Sequence, residues 1–416
     1  MICYGIIGVG GFAADWVRCI QILEKKQIAR LGAAVVRDAA KYASQLEELT
    51  SRGCVVHASL QEMLDGGHGR IDIVGIPTGI PYHAEMAMQA MEAGYNVLVE
   101  KPVAATIQEV LRLQETERRT GRWCAVGYQF IHSPTIQWLR EKIIGGRLGS
   151  IQEARSMIGW PRGPGYYARN GWAGRVRAYQ RWVLDGPATN ATAHHLTNML
   201  YLIAANPEGS AISSVRAELY RAKPIPSYDT SCIEVRMSCG ARALHSASHA
   251  LSRTLDPVMD VICQNGSIHW EARPDAAEIR YNDGSSEAYA NPDPSANPER
   301  SFTQAARLAA GHEQAPLCGL AEGGPHVLAI NLAFESSKGI IPISDEHTYE
   351  HQAVDGSQTM CIEGMEVALK KAQATGLTFS ELNLPWARAT DWVSAEGYIR
   401  FPRSEALKSM ATRHGD

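Results

Sequence analysis

The stretch IDIVGIPTGIPYHAEMAMQAMEAGYNVLVEKP, residues 71–102, decides the fold of this chain. Ile71–Ile76 is an apolar run closed by a proline, the pattern of a strand covered on both faces. Pro77–Pro81 reads as a turn, Tyr82–Ala93 has helical spacing, Gly94 stops that helix, and Asn96–Val99 is a second apolar strand. Strand, helix and strand over roughly thirty residues make a parallel βαβ unit. Parallel sheets place ligands beyond the carboxyl ends of their strands. The Pro77 turn and the Glu100-Lys101-Pro102 corner both fall at such ends, so a ligand held there meets Lys101. An isolated lysine after a buried strand is usually a solvated charge; the neighbouring segments argue otherwise here.

Upstream, MICYGIIGVGGFAADW (residues 1–16) runs from a strand, Ile2–Gly8, through a glycine loop into a helix, Phe12–Lys25. Gly8, Gly10 and Ala13 occupy the three positions of a dinucleotide fingerprint, with Gly11 and Phe12 in the loop between. The helix start offers N–H groups to a pyrophosphate, and glycine lets the phosphate approach the backbone. Leu31–Val36 is the second strand. Val36 stands where an acid would bind the adenosine ribose, and Arg37 and Asp38 follow. Arg37 can clamp a 2′-phosphate or stack on adenine, and Asp38 can take a ribose hydroxyl, so NAD and NADP both stay open. Val55–Ala58 is a third strand, Ser59 caps a helix through Leu64, Thr106–Thr120 is a charged helix and Trp123–Gly127 a further strand.

Taken in order with PTGIPYH (77–83), EAGYNVLVEKP (92–102) and AVGYQF (125–130), these segments resemble the Gfo/Idh/MocA family of nicotinamide-dependent sugar and cyclitol oxidoreductases. The resemblance is close over residues 1–135 and weaker to residue 345. It implies an α/β fold: an N-terminal Rossmann dinucleotide-binding domain, then a C-terminal α+β domain with a largely antiparallel open sheet. It also implies that Pro77, Thr78 and Gly79 pack against the nicotinamide ribose and pyrophosphate, that Glu100 and Lys101 stand at the cofactor, and that Gln129 reaches the carboxamide. His83 either joins this set or only caps its helix. Relatives often carry a basic pair where this chain has Phe130 and Ile131, which disfavours an anionic substrate.

Composition agrees. A chain of 416 residues exceeds what one core usually serves. The expected division is 1–130, 131–345 and an extension, 346–416, packed on the second domain or a neighbour. With 45% apolar and 20% charged residues the chain can bury a core. A formal net charge of −4 without basic blocks gives no footprint for nucleic acid, so the expected partner is a small carbohydrate-like molecule. No apolar run is long enough for a membrane helix and no basic, apolar leader precedes Ile2. The nine cysteines are scattered without a C-x-x-C pair, as in a reduced, cytoplasmic protein.

In the second half, Ser133–Gly146 is a linking helix and Ile151 opens a strand. Gly159–Arg175, GWPRGPGYYARNGWAGR, is too rich in glycine, proline and aromatics for regular structure. Trp160, Tyr166, Tyr167 and Trp172 offer flat faces, and Arg162, Arg169 and Asn170 polar tips, the mixture that grips a sugar ring. Filling a dimer interface is the alternative. Trp172 and Arg175 are also candidates for the cofactor. Trp182–Tyr201 resembles the family's G-G-x-x-x-D-x-G-x-H segment loosely. Setting the motif histidine on His194 puts Asn190 at the aspartate position, four residues away and, on an α-helix, on the same face. His195 then points elsewhere. No carboxylate or cysteine sits at ligand spacing, so no metal is expected. Short strands from Ala217 to Trp270 form an antiparallel sheet through which a homodimer or homotetramer can assemble, with His245 and His249 in core or interface. Asp283–Asn297 reads as a polar loop, Pro325–Lys338 and Ile362–Thr375 as helices.

Oxidising a secondary alcohol needs a nicotinamide over the carbinol, a cation beside the hydroxyl and a base for its proton. Lys101 is the expected cation, held by Glu100 or a backbone carbonyl, and His194 the expected base; both are also expected to touch substrate, with Trp160, Arg162, Tyr166, Arg169, Asn170 and Asn190. Asn190 can orient an imidazole but carries no charge to stabilise an imidazolium. Two rivals stand beside this reading: tightly held NAD used transiently for elimination or glycoside cleavage, and a non-catalytic NAD(P)-binding sensor.

Overall fold

The computed structural model describes residues 1–67, 69–206, 211–352, 356–405, 407 and 408. The chain forms two compact units, Met1–Ala104 with Gln108–His132 and Ser295–Gly324, and Ala105–Ile107 with Ser133–Pro294 and the described part of Pro325–Asp416.

The first unit is built on six strands: β1 (Ile2–Ile7), β2 (Ala29–Val35), β3 (Val55–His57), β4 (Ile73–Ile76), β5 (Asn96–Val99) and β6 (Cys124–Val126). They lie in the order β3-β2-β1-β4-β5-β6, every neighbouring pair parallel. This is a Rossmann sheet, and its order reverses at β1, where such folds open a crevice for a ligand. The apolar runs that marked these strands are buried: Ile6, Ile73, Val74, Ile76, Val97 and Val99 are wholly inaccessible.

The segment Ser295–Gly324 belongs to this first unit, although the sequence placed it in the second. Its helix, Asn297–Ala309, buries Phe302, Ala305 and Ala306 on one face. Phe302 meets Trp16 edge-on with ring centroids 4.9 Å apart, and its carbonyl accepts a hydrogen bond from Tyr4 Oη at 2.7 Å. Helical spacing identifies such a face but not which distant core it covers.

The second unit contains β7 (Ile151–Gly159), a small hairpin of β8 (Arg177–Ala178) and β9 (Arg181–Trp182), then β10 (Ile212–Arg221), β11 (Thr230–Met237), β12 (Arg242–Ser248), β13 (Leu255–Cys263), β14 (Gly266–Glu271), β15 (Ala276–Tyr281), β16 (Ser286–Ala290), β17 (Ile341–Pro342), β18 (Thr348–Gln352), β19 (Gln358–Ile362) and β20 (Val393–Ser394). Ten of them form one mixed sheet, β16-β15-β14-β13-β7-β12-β11-β10-β17, with β20 also on β10. β7 with β12 and β10 with β17 pair parallel; the other pairs are antiparallel. Strand β16 lies inside the expected polar loop Asp283–Asn297. It is an edge strand with alternately exposed and half-buried residues, so its polarity concealed it.

The two faces of this sheet carry different partners. The helix Ala193–Ile203, buried all round, lies against β7, β12 and β13. The C-terminal helix, Met365–Thr375, stopped by Gly376 at φ +70°, packs Met365, Leu369 and Ala372 with Leu244 of β12, Phe379 and Trp386. Leu244 and its neighbour His245 necessarily point to opposite faces. The extension therefore packs on its own unit. Buried Glu218 fastens it by accepting from Ser380 Oγ at 2.6 Å, and Glu335 by accepting from Tyr398 Oη at 3.1 Å. The expected extension also ran over residues 353–355, 406 and 409–416, which lie outside the described residues. Among the described residues no helix is long and apolar enough to cross a membrane.

Candidate functional site

In the first unit a cavity of about 600 Å³ opens on the residues that follow β1, β2, β3 and β4. Gly8, Gly10 and Ala13 line it after β1, Arg37 and Asp38 after β2, Ala58 and Ser59 after β3, and Pro77, Thr78 and Gly79 after β4. Gly8 has φ +90°, a conformation side chains resist. A Cβ on Gly10 would lie 2.4 Å from the Tyr42 ring, so the loop passes beneath that ring only as glycine. The helix Ala13–Lys25 starts at this loop. A glycine loop, a helix start and a cavity within the range of nucleotide sites fit a dinucleotide phosphate on geometry alone.

Several expected residues take other places. Phe12 is 52% exposed and neither it, Gly11, His83, Glu100, Lys101 nor Gln129 lines this cavity. His83 is buried with Nδ1 2.7 Å from the Pro102 carbonyl and Nε2 2.8 Å from that of Thr78. It makes no helix cap; it straps the Thr78 turn to the segment after Lys101. A neutral imidazole donates once and a protonated one twice. Burial, the largest influence, and the Lys101 charge lower its pKa, while the hydrogen bonds to both carbonyls oppose the shift. Asp38 Oδ1 accepts from the Lys41 backbone N–H at 3.2 Å, closing the turn after β2.

Glu100 and Lys101 follow β5, each side chain 12% exposed, with Lys101 Nζ 3.9 Å from Glu100 Oε1. That is an ion pair without a hydrogen bond. Burial pushes the Glu100 carboxyl up to about 7, against the Lys101 charge and hydrogen bonds from the Lys101 backbone and Trp16. Gln129 is half-buried at the start of a short turn, Gln129–His132.

In the second unit the Asn190–His194 spacing is not α-helical. Pro187–Ala191 forms a π-turn in which Thr192 N–H donates to the Pro187 carbonyl at 2.8 Å, and the α-helix begins only at Ala193. Such turns mark functional sites often. Asn190 Nδ2 instead donates to Asp185 Oδ1 at 3.0 Å, while Asp185 Oδ2 accepts from Gly174 N–H at 2.6 Å. A buried carboxylate thus stands behind Asn190. His194 is 8% exposed. His195 lies against Trp160 and Trp270, ring centroids 6.1 and 5.7 Å away, and burial lowers its pKa to about 3.

His245 braces the turn. Thr192 Oγ1 donates to the Pro187 carbonyl, so it accepts from His245 Nε2 at 3.0 Å; Nδ1, 2.7 Å from Ser156 Oγ, then accepts. The ring is a neutral connector, with its pKa lowered to about 3 by burial.

The aromatic loop Gly159–Arg175 is not wholly irregular, for Pro164 starts a short helix, Pro164–Ala168. The faces expected to hold a sugar are partly taken by guanidinium groups: Arg169 stands 3.6 Å over Tyr166 and 5.4 Å over Trp172, Arg162 4.8 Å over Tyr166 and 5.7 Å over Trp160. Asn170 Oδ1 accepts from the N–H groups of Trp172 and Ala173, closing the loop. Arg175 is exposed, its carbonyl accepting from Asp185 N–H.

The family model for an oxidoreductase family with an NAD-binding Rossmann fold, GFO_IDH_MocA, matches residues 2–128. Residues 2–128 belong to the Gfo/Idh/MocA family. The inositol 2-dehydrogenase 2 of Saccharopolyspora erythraea is 28% identical over 46% of this chain and 56% of its own. The D-glucoside 3-dehydrogenase of Escherichia coli is 26% identical over 50% and 53%. The chain thus spans about half the length of these Gfo/Idh/MocA relatives. The WlbA dehydrogenase of Bordetella pertussis, solved with NADH and UDP-GlcNAcA, superposes with a TM-score of 0.67 at 20% identity over 81% of this chain and 96% of that one, which shows the shared fold.

Beyond the Gfo/Idh/MocA fingerprint, sequence reasoning missed Asp185, Lys41 and Tyr42. The Asp185-Gly186-Pro187 turn signal was the clue to the first. The cavity places of Lys41 and Tyr42 have no local signature.

Proposed function

We propose that this protein is an NAD(P)-dependent oxidoreductase that moves a hydride between nicotinamide and a secondary alcohol of a sugar, glycoside or cyclitol. The observation that carries the reading is the glycine-lined cavity at the carboxyl ends of β1 to β4, inside a segment that belongs to an oxidoreductase family. Relatives named for inositol and D-glucoside oxidation support the substrate class. The bound nicotinamide supplies the hydride acceptor or donor.

Gly8, Gly10 and Ala13 hold the pyrophosphate, Thr78 and Gly79 the ribose beyond it, and Arg37, Asp38 and Lys41 the adenosine side. Lys101 lowers the pKa of the hydroxyl and orients it, with Glu100 as counter-charge. His194 takes the proton, and Asp185 acts through Asn190 to hold the polar centre of the second unit. Arg162, Arg169 and Asn170 serve the sugar hydroxyls. None of the nine cysteines is joined in a disulfide, which supports a reducing compartment, the cytoplasm. Because the C-terminal helix covers β7 and β12, self-association through the sheet would use the outer strands β13 to β16.

Absorbance at 340 nm, followed with NAD and with NADP over a panel of sugars, glycosides and cyclitols, tests the reading. A nucleotide-linked signal with at least one class is expected. Binding without turnover or product would point to a sensor, and product without net cofactor change to transient oxidation.

A further inference from the structure

We propose that the second unit carries a separate pocket for the aglycone of a glycoside, an uncharged aryl or similarly flat group bearing an acceptor oxygen. The proposal rests on the oxidoreductase reading and deepens it. The pocket is a cavity of about 400 Å³ walled by Pro164, Tyr167, Ile225 and Met360, with Thr359 and Lys223 at its polar end. A ring with one substituent fits such a space and such flat, apolar walls.

Its position ties it to the polar centre. A Cβ on Gly174 would meet the Tyr167 ring at 2.7 Å and Ile225 at 3.4 Å, so both walls close directly on that backbone. The same residue's N–H donates to Asp185, whose other oxygen takes Asn190. One stretch of backbone therefore separates the cavity from the Asp185–Asn190 pair. The hairpin β18–β19, which supplies Thr359 and Met360, is bound to the aromatic loop by Thr359 Oγ1 donating to the Arg162 carbonyl at 3.1 Å.

The polar end fixes the chemistry. Lys223 is 4% exposed, and Nζ donates to Thr359 Oγ1 at 2.5 Å and to the Met360 carbonyl at 2.6 Å. An ammonium has three N–H groups, of which these bonds use two, and the buried Asp229 acts on its charge, so a ligand's acceptor need carry none. Glu350 also lines it and opposes a phosphate or carboxylate. A neutral ether or phenolic oxygen satisfies both.

The test compares the methyl and 4-methoxyphenyl glycosides of a sugar that turns over. Wild type is expected to favour the aryl glycoside about tenfold in kcat/KM, through KM. Ile225→Trp, and independently Met360→Trp on the hairpin should the first fail to fold, would bring the aryl value down to the methyl one. Equal values in wild type, or a preference that survives both substitutions, would overturn the pocket. Saturation-transfer NMR of 4-methoxyphenyl β-glucoside with the full chain reads binding without turnover. Aryl-proton saturation lost in the tryptophan variants supports the pocket even if no alcohol is oxidised; none in wild type, or saturation that persists in the variants, counts against it.

Discussion

The cavity of the first unit is lined at its strand ends by backbone and small residues, Gly8, Gly10, Ala13, Thr78 and Gly79, whereas the polar centre of the second is a relay of side chains. There, Asp185 receives Gly174 and Asn190, and His245 spans Ser156 and Thr192. A site made of backbone depends on space and on φ, so it fails when bulk is added. A site made of side chains depends on charge and hydrogen-bond direction, so it fails when one atom is exchanged. Lys101 is a third kind of element, a charge at a strand end of the first unit, and it gives the sharpest test. Lys101→Ala is expected to lower kcat/KM roughly 10³-fold while nucleotide Kd, from fluorescence titration, stays within a few-fold. Equal losses in both would mean that the lysine serves the cradle rather than the alcohol.

Asp185→Asn exchanges one oxygen for an NH₂ group that must face either the Gly174 N–H or the Asn190 amide donor. A drop in kcat of about thirty-fold is expected, with an altered kcat–pH profile and unchanged nucleotide affinity. Loss of nucleotide affinity instead would erase the contrast between the regions. Gly10→Ala is the opposite experiment. The new methyl must displace the Tyr42 ring, so NAD(P) binding should weaken about tenfold with kcat at saturating nucleotide preserved. Tyr42→Ala in the same chain should recover most of it. Failure of that rescue would show that the backbone, not the ring, sets the limit.

The same contrast explains what could be read from the sequence. A backbone site leaves its mark locally: Gly8, Gly10 and Ala13 by spacing, β5 by its apolar run, and Ser59 as a cap that accepts from Glu62 N–H at 3.2 Å. Side-chain relays close through tertiary packing. Asn190 and His194 looked like helical neighbours until the π-turn intervened, and Asp185 gave no hint that it would pair with Asn190. The tyrosine and tryptophan faces of the loop read as open platforms, yet Arg162 and Arg169 stack on them. His83 was legible as a residue that matters, but not as a strap between two carbonyls. The Asn297–Ala309 helix was missed outright, for it follows a polar stretch and its apolar face is completed only by distant Trp16 and Tyr4.

The smallest expected effect lies at Glu100, beside Lys101 at the end of β5. Its carboxyl is raised from an ordinary 4.5 to about 7. The protonated form is thus the one folding favours, and this contribution, complete below about 4.5, disappears as pH rises through 7 and amounts to about 3 kcal/mol. Glu100→Gln keeps the neutral shape, so its Tm should stay level between pH 5 and 8 where that of wild type falls. Catalysis should move the other way. Above pH 7 the ionised carboxylate steadies the Lys101 ammonium 3.9 Å away, and below it the two proteins present the same neutral neighbour. The wild-type to Glu100→Gln ratio of kcat/KM should therefore rise from about one at pH 6 to a few-fold at pH 8. A ratio that does not change with pH would mean that Lys101 works without Glu100, and that the charge at this strand end is held by the backbone alone.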